Sequence, residues 1–415
     1  LAKASRKTQL SNQAVFKMLQ NIKDKILSGQ RLTREDALRL FESDDIFTLG
    51  KLAFHAAKKK NGNKAYFIRN LHINPTNICV NRCKFCAFSR SKGEKGAYEM
   101  TIDEIISKIR TQNTEHRTQR KTTPSNPPLV KGGYGGVSEV HITGGLHPDR
   151  HLEYYLEMIS RIKRAFPKIR IKAFTSVEIE YMSRISGKSI FDTLTALKKH
   201  GLDTMPGGGA EIFDENVRDR LCPEKLSSEG WLNVMETAHK AGIKTNATML
   251  YGHVETYAQR VDHLMRLREL QDRTGGFQAF IPLAYHPKNT ELGVRGQGSG
   301  VSKRQKTNPQ SLIPNPCHNT SGIDDLKTIA VSRLVLDNFL HIKAYWIMLG
   351  EKLSQVALLF GADDIDGTII EEKITHSAGA LSGNAMTAEQ LKNLIKKAGK
   401  VPVERDSFYK PIRNK

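Results

Sequence analysis

The apolar positions of the chain keep one rhythm up to about residue 64 and a different one after it. In NQAVFKMLQNIKDKILSG, Val15, Phe16, Leu19, Ile22, Ile26 and Leu27 recur at helical spacing, and Gly29 follows as a stop. LTREDALRLF opens with Thr33 three positions before Asp36, a helix-capping pattern. From about Ala65, short apolar runs alternate with longer amphipathic ones. AYFIRNLHIN, SEVHIT (138–143), IRIKAFTS (169–176), LDTMP, IKTNATMLYG (243–252), FQAFIPLAY (277–285) and HIKAYWIML (341–349) read as strands. LEYYLEMISRIKRAF, IFDTLTALKKHG, EGWLNVMETAHKAG, RVDHLMRLRELQDRTG, DDLKTIAVSRLVLDNF and EKLSQVALLFG read as the helices that go with them. Repeated strand–helix units predict an α/β fold with a parallel sheet. Their number and length favour a closed TIM-type β/α barrel over an open sheet. Working residues then stand at the carboxyl ends of strands. The predicted organisation is an N-terminal helical extension (1–64), the barrel (65–375) and a C-terminal helical tail (376–415) packed on it.

Two polar stretches break the rhythm, 117–136 and 296–322. Both are rich in Pro, Gly, Ser and Thr, and both read as mobile insertions rather than active-site lids. No run of about 18 apolar residues is present, so no membrane span is expected. The start, LAKASRKTQL, lacks the apolar core of a signal peptide. The 5 cysteines are few, odd in number and unevenly placed. That is no disulfide framework; it suits a reducing cytoplasm and a metal or redox task.

A net charge of +21 raises the question of nucleic acid. Its placement argues against it. Residues 1–70 carry 15 basic and 6 acidic side chains, and residues 391–415 a net +6. The stretches 112–136 and 297–322 add +3 each, which leaves the rest of the chain neutral. The excess sits on flanks and insertions, without the aromatic–basic interleaving of an RNA-recognition strand. A solvated basic periphery accounts for it.

The candidate chemistry centres on CVNRCKFCAF, residues 79–88. The spacing is C-x3-C-x2-C, directly after the first barrel strand. Structural zinc would want a fourth ligand, usually from a second pair, and Cys222 and Cys317 are single and distant. Three thiolates leave an iron–sulfur cube with one iron free for a substrate. Cys222 is expected to be a buried thiol and Cys317 to have no role. In HITGGLHPD, Gly144 and Gly145 follow a strand directly, which lets backbone approach a ligand, and His147 shares their loop as a candidate catalytic residue. Ser176 and Glu178 end a strand. Glu211, a further candidate catalytic residue, follows the triple glycine 207–209, again a place for close approach. Asn246, Thr248, Tyr251, His253 and Glu255 alternate at and beyond a strand end, so one subset faces the interior. Tyr285 and His286 follow FQAFIPLA, and His286 is a candidate acid, base or carboxylate partner.

The cysteine loop resembles the cluster motif of the radical S-adenosylmethionine superfamily, and Phe85 fits the aromatic residue often found before its last cysteine. The resemblance implies a radical SAM β/α barrel with a 4Fe–4S cluster on Cys79, Cys83 and Cys86. S-adenosylmethionine would chelate the fourth iron and be cleaved by one electron to methionine and a 5′-deoxyadenosyl radical. Gly144 and Gly145 would then hold the methionine amino group. Ser176 and Glu178 would orient the ribose and the methionine carboxylate.

A narrower resemblance rests on NPTNICVNRCKFCAFSR, EVHITGGLHPD, IKAFTSVEI, MPGGGAEIFD, TNATMLYGHVET, GGFQAFIPLAYHPKNT and VPVERDSFY. These blocks are similar to the aminofutalosine synthases of menaquinone biosynthesis, from about residue 65 to 295 and from about 323 to the end. That family adds the adenosyl radical to 3-[(1-carboxyvinyl)oxy]benzoate and consumes S-adenosylmethionine as co-substrate. Rearrangement and loss of the carboxylate give 6-amino-6-deoxyfutalosine. The resemblance also implies an electron donor such as flavodoxin or ferredoxin. A substrate with two carboxylates needs cationic or N–H partners, for which Arg82, Arg90 and Lys172 are candidates. Cyclic dehypoxanthine futalosine synthase and the deazaflavin synthases share the cluster loop and barrel and stay open as alternatives. MPGGGAEIFD and FQAFIPLAYHP favour the first reading. Two other classes are weighed against it: a non-radical iron–sulfur electron carrier and a metal-stapled nucleic-acid-binding protein.

Overall fold

Each strand–helix unit delivers one short parallel strand, and the strands line up in chain order. The structure, a computed structural model, describes residues 20–118, 136–293 and 320–412. The main sheet holds β2 (Asn70–Ile73), β3 (Glu139–Ile142), β4 (Arg170–Ala173), β5 (Thr204–Met205), β6 (Lys244–Tyr251), β7 (Phe277–Ala284) and β8 (His341–Ile342), in that order. A second sheet has β10 (Val401–Glu404), β1 (Lys64–Ile68) and β9 (Asp364–Gly367) side by side. Apolar side chains of helices and strands merge into one large core, running from Ile22 to Ile395.

AYFIRNLHIN, expected as one strand, is two. It changes partners at Arg69. The Arg69 carbonyl accepts from the Ser138 and Glu139 N–H groups, drawing β2 to β3. The Ile68 carbonyl instead accepts from Thr368 N–H, on the β9 side. β9 thereby closes the curled main sheet. On one flank Lys343 bridges Asp364 beyond β8. On the other, the Thr368 hydroxyl donates to the Asn70 carbonyl at 2.9 Å, and Asn70 Oδ1 accepts from Ile369 N–H at 3.0 Å. A Cβ on Gly367 would fall 2.2 Å from Asn70 Oδ1, so the seam needs glycine there.

Two further expectations are corrected. HIKAYWIML is a strand only over His341–Ile342. Ala344 N–H turns to the Asp364 carbonyl, and Trp346–Leu349 forms a helical turn with the Trp346 indole bonded to the Gly367 carbonyl. The tail is not purely helical. Its helix Ala388–Lys397 is capped by a Thr387–Gln390 box and leads into β10, which pairs with β1. Beyond β10 the tail covers the amino ends of the barrel strands. There buried Arg405 meets Asp364 at 2.6 Å, and the Ser407 hydroxyl donates to Glu139 at 2.6 Å. The Thr33–Asp36 capping box reads from the sequence as it stands in the fold. The insertions at 117–136 and 296–322 lie mostly outside the described residues.

Candidate active site

The carboxyl ends of the barrel strands surround a cavity of about 330 Å³ that reaches down into the strand interior. Its rim is the cysteine loop. Hydrogen bonds pin that loop at several points: Cys79 N–H to the Arg90 carbonyl, Val80 N–H to the Leu146 carbonyl, and Lys84 N–H to the Leu221 carbonyl. Cys79, Cys83 and Cys86 are free, half-buried, and all line the cavity. Burial pushes the Cys79 thiol up, and the neighbouring Cys222 thiol, hydrogen-bonded to Cys83, pushes Cys83 up. Binding iron must therefore drive protons off these sulfurs. Among the described residues, no three His, Cys, Asp or Glu side chains converge on a point that one metal ion would occupy. Three separate thiols on one rim fit a cluster, in which each iron takes its own cysteine. Phe85 lines the same rim, with the Lys225 ammonium 5.2 Å from its ring centre.

The glycine pair packs against the cysteine loop as well as facing the cavity. Both glycines line the cavity, but the space where Gly145 lacks a Cβ is taken by the cysteine loop. A Cβ there would lie 2.2 Å from the Ile78 carbonyl oxygen and 3.0 Å from Cys79 Cβ. At Gly144 it would lie 3.1 Å from the Thr76 carbonyl oxygen. The close approach is between two loops of the protein. The triple glycine behaves alike: a Cβ on Gly207 would fall 2.7 Å from the Ala247 carbonyl carbon.

Ser176 and Glu178 do not end a strand. They open the helix Ser176–Ile185, whose N-cap is Thr175. Ser176 is buried and does not line the cavity. Glu178 does. Its Oε2 accepts from Thr175 N–H and Oγ1–H at 2.7 and 2.8 Å, and its Oε1 from Gly144 N–H at 3.1 Å. Burial nevertheless outweighs these donors and raises its pKa to about 7.

Glu211 lines the cavity from a left-handed backbone, φ +48°, and its carboxylate meets Lys225 at 2.6 Å. Burial works against both charges, but each holds the other ionised: Glu211 is pushed down and Lys225 up. His286 also lines the cavity. It bonds the Met348 carbonyl through Nε2 at 3.1 Å, which makes Nε2 the donor and leaves Nδ1 a lone-pair acceptor. Burial pushes its pKa down, so it is neutral. His147 is not brought to the cavity. It is buried beside Glu99 at 3.3 Å, with Nδ1 accepting from Asp149 N–H. On β6, Asn246, Thr248 and Leu250 face inward. Tyr251, His253 and Glu255 lie in a buried network with Asp325, Arg260 and Asp324. Of the three cationic candidates only Lys172 reaches the cavity. Arg82 bonds Ser91, and Arg90 bonds the Ala87 and Ser89 carbonyls.

The sequence reading missed His72, His141, Lys343 and Lys225, all of which line the cavity. A signal existed for the first three. Each is a polar residue in or directly after an apolar strand run, in LHI, VHI and HIK, where a buried polar group needs a reason.

Comparison with known proteins sharpens this geometry. Residues 129–267 match the family model described as "Radical SAM superfamily". Residues 274–414 match "CofH/MqnC C-terminal region". The chain is 42% identical to aminodeoxyfutalosine synthase of Thermus thermophilus over 94% of this chain and 95% of that protein. It is 41% identical to aminodeoxyfutalosine synthase of Streptomyces coelicolor, over 94% and 93%. The chain belongs to the aminodeoxyfutalosine synthase family of radical SAM enzymes. A related transferase is also similar: 5-amino-6-(D-ribitylamino)uracil–L-tyrosine 4-hydroxyphenyl transferase of Methanococcoides burtonii, 37% identical over 94% of this chain and 99% of that one. The fold is shared more widely. Crystalline methylornithine synthase superposes with a TM-score of 0.67 at 17% identity, covering 92% of this chain and 97% of that one. A maturase of the [FeFe]-hydrogenase gives 0.66 at 16%, covering 93% and 76%. Membership of the family sets the rim of three thiols in context, and Glu178 and the inward face of β6 line the same cavity.

Proposed function

We propose that this enzyme joins the 5′-deoxyadenosyl group of S-adenosylmethionine to 3-[(1-carboxyvinyl)oxy]benzoate, with rearrangement and loss of the vinyl carboxylate, giving 6-amino-6-deoxyfutalosine. The observation that supports it most is the single cavity that joins Cys79, Cys83 and Cys86 to Glu178 and to the polar face of β6. Cys79, Cys83 and Cys86 would hold a 4Fe–4S cluster, which would supply the electron that cleaves S-adenosylmethionine. Electrons come from a donor such as flavodoxin or ferredoxin, and free thiols at the rim suit the cytoplasm.

The chain's own residues do the rest. Glu178, at the mouth beside Gly144, is the anion for the methionine ammonium; pairing with it draws the Glu178 proton off. The Glu211–Lys225 pair borders the rim and holds Phe85 in place over it. Neutral His286 offers Nδ1 as an acceptor for an adenosyl or substrate hydroxyl. Apolar Ile281, Leu283 and Ala284 give the radical few polar neighbours and exclude water from that wall.

The test is product analysis with adenine-labelled S-adenosylmethionine, dithionite and 3-[(1-carboxyvinyl)oxy]benzoate. The label is expected in a nucleoside heavier than 5′-deoxyadenosine, with carbon dioxide formed in equal amount. The 37% identity to the tyrosine 4-hydroxyphenyl transferase supports a second reading. Conversion of a diaminouracil substrate with tyrosine, or of dehypoxanthine futalosine, with nearly all label ending as 5′-deoxyadenosine, replaces the first reading with a relative's.

A further inference from the structure

Below the thiols the wall of the cavity becomes basic. His72 on β2, His141 on β3 and Lys172 on β4 stand in register across three neighbouring strands, and all three line the cavity together with Lys343. Each of the three strand residues sits one position before the end of its strand, deeper than the loops. The two imidazole centres are 4.5 Å apart.

The two ammonium groups already have partners. Lys343 donates to Asp366 at 2.9 Å, and Lys172 meets Glu139 at 2.8 Å. The imidazoles are less fully partnered. Asn70 Oδ1 is held by Ile369 N–H, which turns the Asn70 amide nitrogen toward His72 Nε2 at 3.5 Å. His72 therefore accepts there and carries its proton on Nδ1, for which no acceptor exists among the described residues. His141 makes no side-chain hydrogen bond among the described residues at all. Both rings open onto the cavity, so their N–H groups stand ready for an acceptor that enters it.

We propose that His72 and His141, backed by Lys343 and Lys172, bind the ring carboxylate of the substrate, the one the reaction keeps. The inference rests on the proposed function. The vinyl carboxylate must lie beside the carbon that receives the adenosyl group, near the rim. The ring carboxylate is at the far end of the same molecule, where the basic row is. Burial lowers both imidazoles, with Lys343 and Lys172 acting in the same sense and Asp366, Glu372 and Glu139 opposing. Before the ligand arrives the pair is neutral. An added carboxylate pushes both pKa values back up, so binding is linked to proton uptake.

Calorimetry on reconstituted, unreduced enzyme with S-adenosylmethionine tests this with two ligands: 3-[(1-carboxyvinyl)oxy]benzoate and 2-phenoxyprop-2-enoate, which lacks only the ring carboxylate. The enzyme should bind the dicarboxylate at least about tenfold tighter, as charge-assisted hydrogen bonds imply. His141→Phe should abolish that preference while changing 2-phenoxyprop-2-enoate affinity less than about threefold. His72→Gln, a smaller perturbation, should reduce the preference in the same direction. Heats measured in buffers of different ionisation enthalpy should show proton uptake in the parent enzyme and less of it in His141→Phe. Equal loss for both ligands, or an undiminished preference in both variants, overturns the subsite. An enzyme that converts the dicarboxylate yet shows no preference for it also overturns the subsite while leaving the functional reading intact. If it binds and converts neither, the functional reading falls and takes the subsite with it.

Discussion

Gly145 and Ile78 touch so closely that no side chain fits between them: a Cβ on Gly145 would stand 2.2 Å from the Ile78 carbonyl oxygen. The next residue is Cys79. Gly145 thus sets how near the loop after β3 lies to the Cys79 thiol. Gly145→Ala is expected to push the Ile78–Cys79 backbone outward, at a cost of about 1–3 kcal/mol in stability. The sharper readout is iron and sulfide per chain after anaerobic reconstitution, which should fall well below the parent value while the circular dichroism spectrum is kept.

Cysteine replacement separates the rim from its neighbour. Cys79, Cys83 and Cys86 line the cavity, whereas Cys222 is buried behind Cys83. Cys79→Ala, Cys83→Ala and Cys86→Ala should each lose the 4Fe–4S absorption. Cys222→Ala should retain full iron and sulfide, as should Cys317→Ala, whose residue lies outside the described residues. Full cluster content in Cys79→Ala, or cluster loss in Cys317→Ala, contradicts the assignment.

Much of this was legible in the chain, and the misses share a cause. Periodicity located the strands because alternation and helical spacing are local. The split at Arg69 was invisible, since it depends on which strand offers N–H groups, Ser138 and Glu139 on one side and Thr368 on the other. The cysteine loop announced itself because its spacing is chemical. Glu178 was expected at a strand end and lines the cavity from the start of a helix instead: the Thr175–Glu178 capping box reads as TSVE, which the strand reading overran. His147 looked catalytic because it follows the glycines. In the fold it turns away to Glu99 and leaves the cavity to His141, two residues before Thr143 on β3.

The insertions should be dispensable. Both are rich in Pro, Gly, Ser and Thr. Shortening 117–136 and 298–321 to tight linkers is expected to leave turnover within about a factor of three, a barrier change below about 0.7 kcal/mol. A loss of 100-fold or so in single-turnover rate would identify one of them as a working lid.

Glu178 should make the stability of the ligand-free protein fall as pH rises. Its folded pKa is raised to about 7 from the ordinary 4.5, because burial outweighs the Thr175 and Gly144 donors. A raised carboxyl pKa means that the folded state binds the proton more tightly than the unfolded one. The contribution is therefore fully present below the unfolded pKa and is lost as pH climbs through about 7. Across that window the effect is up to about 3 kcal/mol for a fully buried group. Glu178→Gln cannot ionise and should flatten the curve. Urea unfolding of both proteins at pH 5 and pH 8 reads it directly: the parent should lose more stability than Glu178→Gln over that interval. S-adenosylmethionine should reverse the sign of the comparison at pH 8, protecting the parent and not the variant, because only an ionised carboxylate pairs with its ammonium. Parallel pH curves for the two proteins would show that Glu178 keeps an ordinary pKa in the fold, and equal protection by S-adenosylmethionine would remove it from the methionine site.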